Sequence, residues 1–181
     1  MNFAYRKKQH DDDALPLVRI AFEKQGFSLF PFGGELVPEL QKMLRNLSNG
    51  TSKMLRYRPD LVAVNLERGS LLVEIKSEQA GSPNFAVEFD AWDAARLWNQ
   101  QTRRVLYVFV DLLERTVTAC WPETLCPQKV YVPRINDVAR IKASCPDAVV
   151  KHRPAVYGSG TAFFLVPKMS LEAIESVLCA F

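Results

Sequence analysis

Arg56-Tyr-Arg-Pro-Asp-Leu-Val-Ala-Val-Asn-Leu-Glu-Arg-Gly-Ser-Leu-Leu-Val-Glu-Ile-Lys76 decides how the rest of the chain is read. Two apolar runs, Leu61 to Leu66 and Leu71 to Ile75, flank Glu67-Arg68-Gly69. Both are rich in Val, Leu and Ile, as short buried strands are. A three-residue loop ending in Gly is a common hairpin connection, because Gly takes the left-handed conformation without a Cβ clash. With those three residues as the loop, Leu66 pairs with Ser70, Asp60 lies opposite Lys76, and Val62 lies opposite Glu74. Side chains alternate along a strand and facing residues share a side. Asp60, Glu74 and Lys76 are therefore expected on one face. A one-residue slip would part them.

Three charges on an otherwise greasy hairpin need a reason. An unpaired buried charge costs several kcal/mol, so two adjacent carboxylates call for a cation between them. Hard divalent cations such as Mg²⁺ take carboxylate, carbonyl and water oxygens. A lysine beside them can orient water or stabilise charge developing on a phosphate. The chemistry these residue types suggest is metal-assisted hydrolysis of a phosphodiester.

Pro59-Asp60, a hairpin, then Glu74-Ile75-Lys76 resembles the signature of the PD-(D/E)xK nuclease superfamily, over roughly residues 35 to 111. The resemblance implies an α/β, restriction-endonuclease-like core in the order α-β-β-β-α-β, with a mixed sheet, flanking helices and C-terminal additions. It implies Asp60, Glu74 and the main-chain carbonyl of Ile75 as metal ligands and Lys76 as the catalytic lysine. The superfamily often adds an acid from its first helix, and Glu35 is the first choice here, with Glu39 second. The implied activity is that of a Mg²⁺-dependent deoxyribonuclease, with Mn²⁺ as a substitute and DNA as partner; nothing in the sequence excludes RNA. The alternative is a catalytically silent nuclease fold used as a nucleic-acid-binding or assembly module.

At 181 residues the chain reads as one domain, residues 1–181, with 1–12 a candidate flexible tail. It is 48% hydrophobic and 24% charged, an ordinary globular composition, and a net charge of +3 does not announce a polyanion binder. Cys120, Cys126, Cys145 and Cys179 have no CxxC spacing and read as free thiols. No signal peptide or membrane-length apolar run is present, so a cytoplasmic location is expected.

The segment from Lys42 to Arg58 carries Lys42, Arg45, Lys53, Arg56 and Arg58 and no acid. Ser48 to Ser52 is a loop by composition, so a basic, flexible arm is expected to run into Asp60, with Lys53, Arg56 and Arg58 contacting phosphate. Upstream, Asp11 to Asp13 suit the start of a helix that Gly26 ends, Phe27 to Phe32 a short strand, and Glu35 to Leu47 a second helix. Downstream, Ser82 and Pro83 suit the start of a helix reaching Gln101, with Asn84 and Glu88 one turn apart and able to reach the site in support. Val105 to Val110 is the expected central strand. Thr116 to Trp121, Lys129 to Val132 and Thr161 to Val166 read as further strands, Ile135 to Ser144 as a helix, and Ser170 as the cap of a last helix. Only His10 and His152 exist, so a histidine triad or zinc hydrolase is poorly supplied.

Overall fold

The computed structural model of the chain describes residues 3–32, 43, 49–101, 104–153 and 160–181. Helix α1 (Phe3–Glu23) leads into strand β1 (Ser28–Pro31), and α2 (Gly50–Arg56) into the hairpin of β2 (Leu61–Asn65) and β3 (Gly69–Glu78). β4 (Asn84–Glu88) runs straight into α3 (Phe89–Gln100), which crosses over to β5 (Val105–Asp111). Without α2 and β4 this is the helix, three strands, helix, strand order expected. β6 (Thr116–Cys120), β7 (Lys129–Val132), α4 (Asp137–Ser144), β8 (Val149–His152), β9 (Phe163–Pro167), β10 (Glu172–Ala173) and α5 (Ile174–Cys179) follow.

A six-stranded sheet has the order β1-β2-β3-β5-β6-β10, and a four-stranded sheet the order β4-β9-β7-β8. In the larger sheet only β3 and β5 run parallel, joined through α3 as a crossover requires. β5 is buried along its whole length, as its apolar run predicts. Each fully buried Val, Leu or Phe there contributes about 1.5–3 kcal/mol over exposure, which makes β5 the spine of the fold.

Alternation divides the core in two. Leu61, Ala63, Leu71, Val73, Leu106, Val108 and Val110 pack under α1 and α5 on the back of the large sheet. Leu72, Val105, Tyr107 and Phe109 face forward, against Trp92, Ala95 and Trp98 of α3 and against Phe85, Val87, Phe164 and Val166 of the small sheet.

The hairpin departs from the expected register. Asn65 pairs with Gly69 and Val62 with Leu72, so the loop is Leu66-Glu67-Arg68. The Asn65 side-chain oxygen accepts the amides of Glu67 (2.9 Å) and Arg68 (3.0 Å), a local turn that outcompetes the longer ladder. Gly69, at φ 94°, takes the left-handed turn position, and Leu66 is left fully exposed. The shift is two residues, so every side chain keeps its face. Continued one residue beyond the Leu61–Val73 pair, this register sets Asp60 opposite Glu74 rather than Lys76.

Other expectations are corrected. Residues 84–88 form β4 rather than a first helical turn, because Phe85 and Val87 are buried on alternate positions and the strand pairs with β9. Ser82 caps no helix: its hydroxyl accepts the Asn84 amide at 3.1 Å in a local turn. The aspartates Asp11 to Asp13 lie inside α1, which already starts at Phe3, rather than at its first turn. Residues 50–52 begin α2 instead of continuing a loop, because Asn49 caps the Ser52 amide at 2.8 Å. Ser170 bonds Pro167 in a 3-10 turn, and the last helix starts only at Ile174. Apart from Met43, the helix expected from Glu35 to Leu47 lies outside the described residues.

Lys168, at the end of β9, ties the two sheets together through Glu78 (3.0 Å) and Asp111, which adjoin at the ends of β3 and β5. Burial alone would raise the Asp111 carboxyl. The Lys168 ammonium and the amides of Glu114 and Leu113 outweigh burial and hold it below the ordinary 3.8. A lowered carboxyl contributes stability above its unfolded value and loses it as pH falls through the folded one. Asp111→Asn is therefore expected to lower Tm at pH 7, with the gap to the parent narrowing below about pH 4; a calorimetric pH series with a constant gap down to pH 2 would contradict this.

Candidate active site

Pro59 delivers the chain to Asp60 in extended form, and the backbone of Asp60 is held from both sides. Its N–H donates to Val73 (2.9 Å), and its carbonyl accepts from Phe32 (3.0 Å) at the end of β1. Its carboxylate accepts the Ile75 amide at 2.8 Å, so an oxygen of Asp60 sits beside the strand between Glu74 and Lys76. Glu74 and Lys76 occupy alternate positions on the front of β3, and the Lys76 ammonium curls back to donate to Glu74 Oε1 at 2.6 Å. The Lys76 side chain is 22% exposed and that of Glu74 13%, whereas Asp60 is open to solvent. The three charges therefore meet at a surface edge with a buried floor.

Burial on its own would depress the Lys76 ammonium. Glu74 first and Asp60 second overcome that, and the net effect is a value raised above the ordinary 10.5. At neutral pH Lys76 is thus a cation that donates and cannot accept a proton.

Two neighbours join the three charges: Tyr107, which the sequence reads only as core, and Glu88, which it reads as support. Tyr107 of β5 is the register partner of Glu74, fully buried, and its hydroxyl has no hydrogen-bond partner among the described residues. Burial, then the charges of Glu74 and Asp60, push its phenol well above the ordinary 10.0. The signal was present, since Tyr107 carries the one hydroxyl inside the run Val105 to Val110, but that run reads as core. Glu88, where β4 becomes α3, accepts the Thr161 hydroxyl at 3.2 Å, and its charge is felt at both Lys76 and Tyr107.

The basic arm is a helix packed against α3. Lys53 pairs with Asp93 and stands 3.8 Å from Asp90, so reaching a phosphate requires leaving both acids. Asp90 also takes Arg140 of α4 and the Tyr57 hydroxyl. Arg56 lies over the Tyr57 ring, 4.7 Å from its centroid, and Arg58 is half-buried just ahead of Asp60.

Glu35 and Glu39 lie outside the described residues. Among the described residues no group of three or more His, Cys, Asp or Glu side chains could hold a metal ion. Any cation here rests on a carboxylate pair with carbonyl or water oxygens, a donor chemistry that fits hard divalent ions. A cavity of about 530 Å³, lined in part by Trp92, Arg96, Cys126 and Cys145, is formed without Asp60, Glu74 or Lys76. The described cysteines are free, and among the described residues no helix is long and apolar enough to cross a membrane.

No family model and no curated protein matches the sequence. Among solved structures, the chain resembles a nuclease from a fusselovirus with TM-score 0.51 and 12% identity, over 96% of this chain and 90% of that one. It also resembles the Holliday junction resolvase of the archaeal hyperthermophile Archaeoglobus fulgidus, with TM-score 0.49 and 11% identity, over 94% of this chain and 98% of that one. The chain has the restriction-endonuclease-like fold. Within that fold Asp60 precedes β2, and Glu74 and Lys76 lie on β3.

Lys76 lies between two carboxylates, so Lys76→Met in chelator should destabilise the protein by roughly 1–3 kcal/mol. For a chain of this size that is a Tm fall of about 2–4 °C per kcal/mol. A raised ammonium contributes stability fully below its unfolded value of 10.5 and loses it as pH rises through the folded one. The Tm gap should accordingly be flat from pH 7 to 10 and close only above that; a gap that closes by pH 9 would contradict the assignment.

Proposed function

We propose that the protein is a metal-dependent nuclease, a Mg²⁺-dependent deoxyribonuclease in which Mn²⁺ can substitute. The observation that carries this is the Asp60 carboxylate on the Ile75 amide, beside Glu74, with the Lys76 ammonium on Glu74 and raised by both acids. A solved structure that it resembles is a nuclease, and the open edge holding Asp60 suits a polymer better than a small molecule.

Asp60, Glu74 and the Ile75 carbonyl would hold the cation, with Glu35 as a supporting carboxylate. When bound, the cation neutralises charge on the scissile phosphate and makes water a stronger nucleophile at neutral pH. Lys76 exchanges its bond to Glu74 for one to a phosphate oxygen or the attacking water. There it offers a proton to negative charge as that charge develops. Arg56 and Arg58 bind the flanking phosphates, and Lys53, in its pairs with Asp93 and Asp90, holds α2 against α3.

The test is cleavage of labelled DNA and RNA with Mg²⁺ or Mn²⁺ beside an EDTA control, for the parent and two variants. Glu74→Gln keeps the shape and loses the charge, so metal affinity and cleavage should fall together. Lys76→Ala should keep metal and DNA binding and slow single-turnover cleavage by about 100-fold or more, the scale of a lost electrostatic donor. A parent that cuts neither substrate with either metal, or a Lys76→Ala variant that cuts at the parent rate, would sink the proposal.

A further inference from the structure

Tyr107 holds an oxygen where packing needs none. Its ring stacks on Phe109, 6.0 Å between centroids and two residues further along the same face, so a ring without a hydroxyl is already accommodated beside it. The side chain is fully buried, and its hydroxyl has no partner among the described residues. A buried hydroxyl without a partner lowers stability, and phenylalanine would fill the same volume without that loss. The neighbours of Tyr107 across the sheet are Glu74 on one side and Cys120 on the other. Glu74 is its register partner on the adjoining strand, and Asp60 lies opposite Glu74.

We infer that Tyr107 is a positioning residue for the carboxylate pair, whose hydroxyl donates to Glu74 when Lys76 lets that carboxylate go. This rests on the nuclease reading above. Carboxylates that hold a cation are themselves held by further hydrogen bonds, and those partners govern metal affinity. Lys76 is a poor partner for that state, since its positive charge opposes a divalent cation on the same carboxylate. A phenol donates one hydrogen bond and adds no charge. Anchored in the middle of β5, it also fixes the carboxylate from the rigid side of the site, whereas Asp60 approaches from the exposed side.

The experiment is Tyr107→Phe, read without DNA. Melting in EDTA should give a Tm equal to or above the parent's, because the ring is kept and the unpartnered oxygen is gone. Calorimetric titration with Mn²⁺ alone should show affinity reduced about tenfold or more. The near-ultraviolet tyrosine difference spectrum that Mn²⁺ induces in the parent should be lost in the variant. A variant with lower Tm in EDTA and parental Mn²⁺ affinity would make the hydroxyl structural and overturn the inference, and so would parental values in all three readouts. A parent that binds no Mn²⁺ would overturn the nuclease reading and this inference with it, whereas a binding parent beside an unaffected variant overturns this inference alone.

Discussion

Alternation along β3 makes one strand serve two environments, and the rest of the structure depends on it. Leu71, Val73 and Ile75 turn back toward α1 and α5, while Leu72, Glu74 and Lys76 turn forward toward α3 and the small sheet. The forward row begins apolar and ends charged, so the strand passes from core to site within five residues. β5 beside it is buried along its whole length, so two carboxylates and an ammonium adjoin over a buried floor. The repulsion between Asp60 and Glu74 is balanced locally by Lys76. The site is therefore folded and charge-paired before anything binds.

Much of this was legible because it depends on parity. The hairpin, the central strand and the common face of Asp60, Glu74 and Lys76 follow from apolar runs and a period of two. The error in the turn was two residues, and an even error leaves every face intact. What decided the turn was a hydrogen-bonding choice of Asn65, which competes with Gly69 for the loop and leaves no trace in hydrophobicity.

The misreadings share a cause of another kind. Ser82-Pro83 looks like a helix start, and Phe85 with Val87 fits a helix as well as a strand; the pairing of β4 with β9, about 80 residues away, made the choice. The charge of the arm was misjudged in the same way. From Lys42 to Arg58 no acid appears in sequence, yet Asp90 and Asp93 on α3 lie against Lys53 and offset part of the excess. A one-dimensional count does not see acids brought in by tertiary contact. Tyr107 shows the converse, a polar atom hidden in a run whose apolar character is otherwise correct.

The central claim is that the facing carboxylates of Asp60 and Glu74 form one divalent-cation site. Anomalous diffraction from crystals grown with Mn²⁺ tests it most directly. A single strong peak within about 2.0–2.3 Å of an oxygen from each carboxylate, with the Lys76 ammonium displaced from Glu74, is the predicted result. Crystals at saturating Mn²⁺ with no peak there, and Lys76 still bonded to Glu74, would contradict the account.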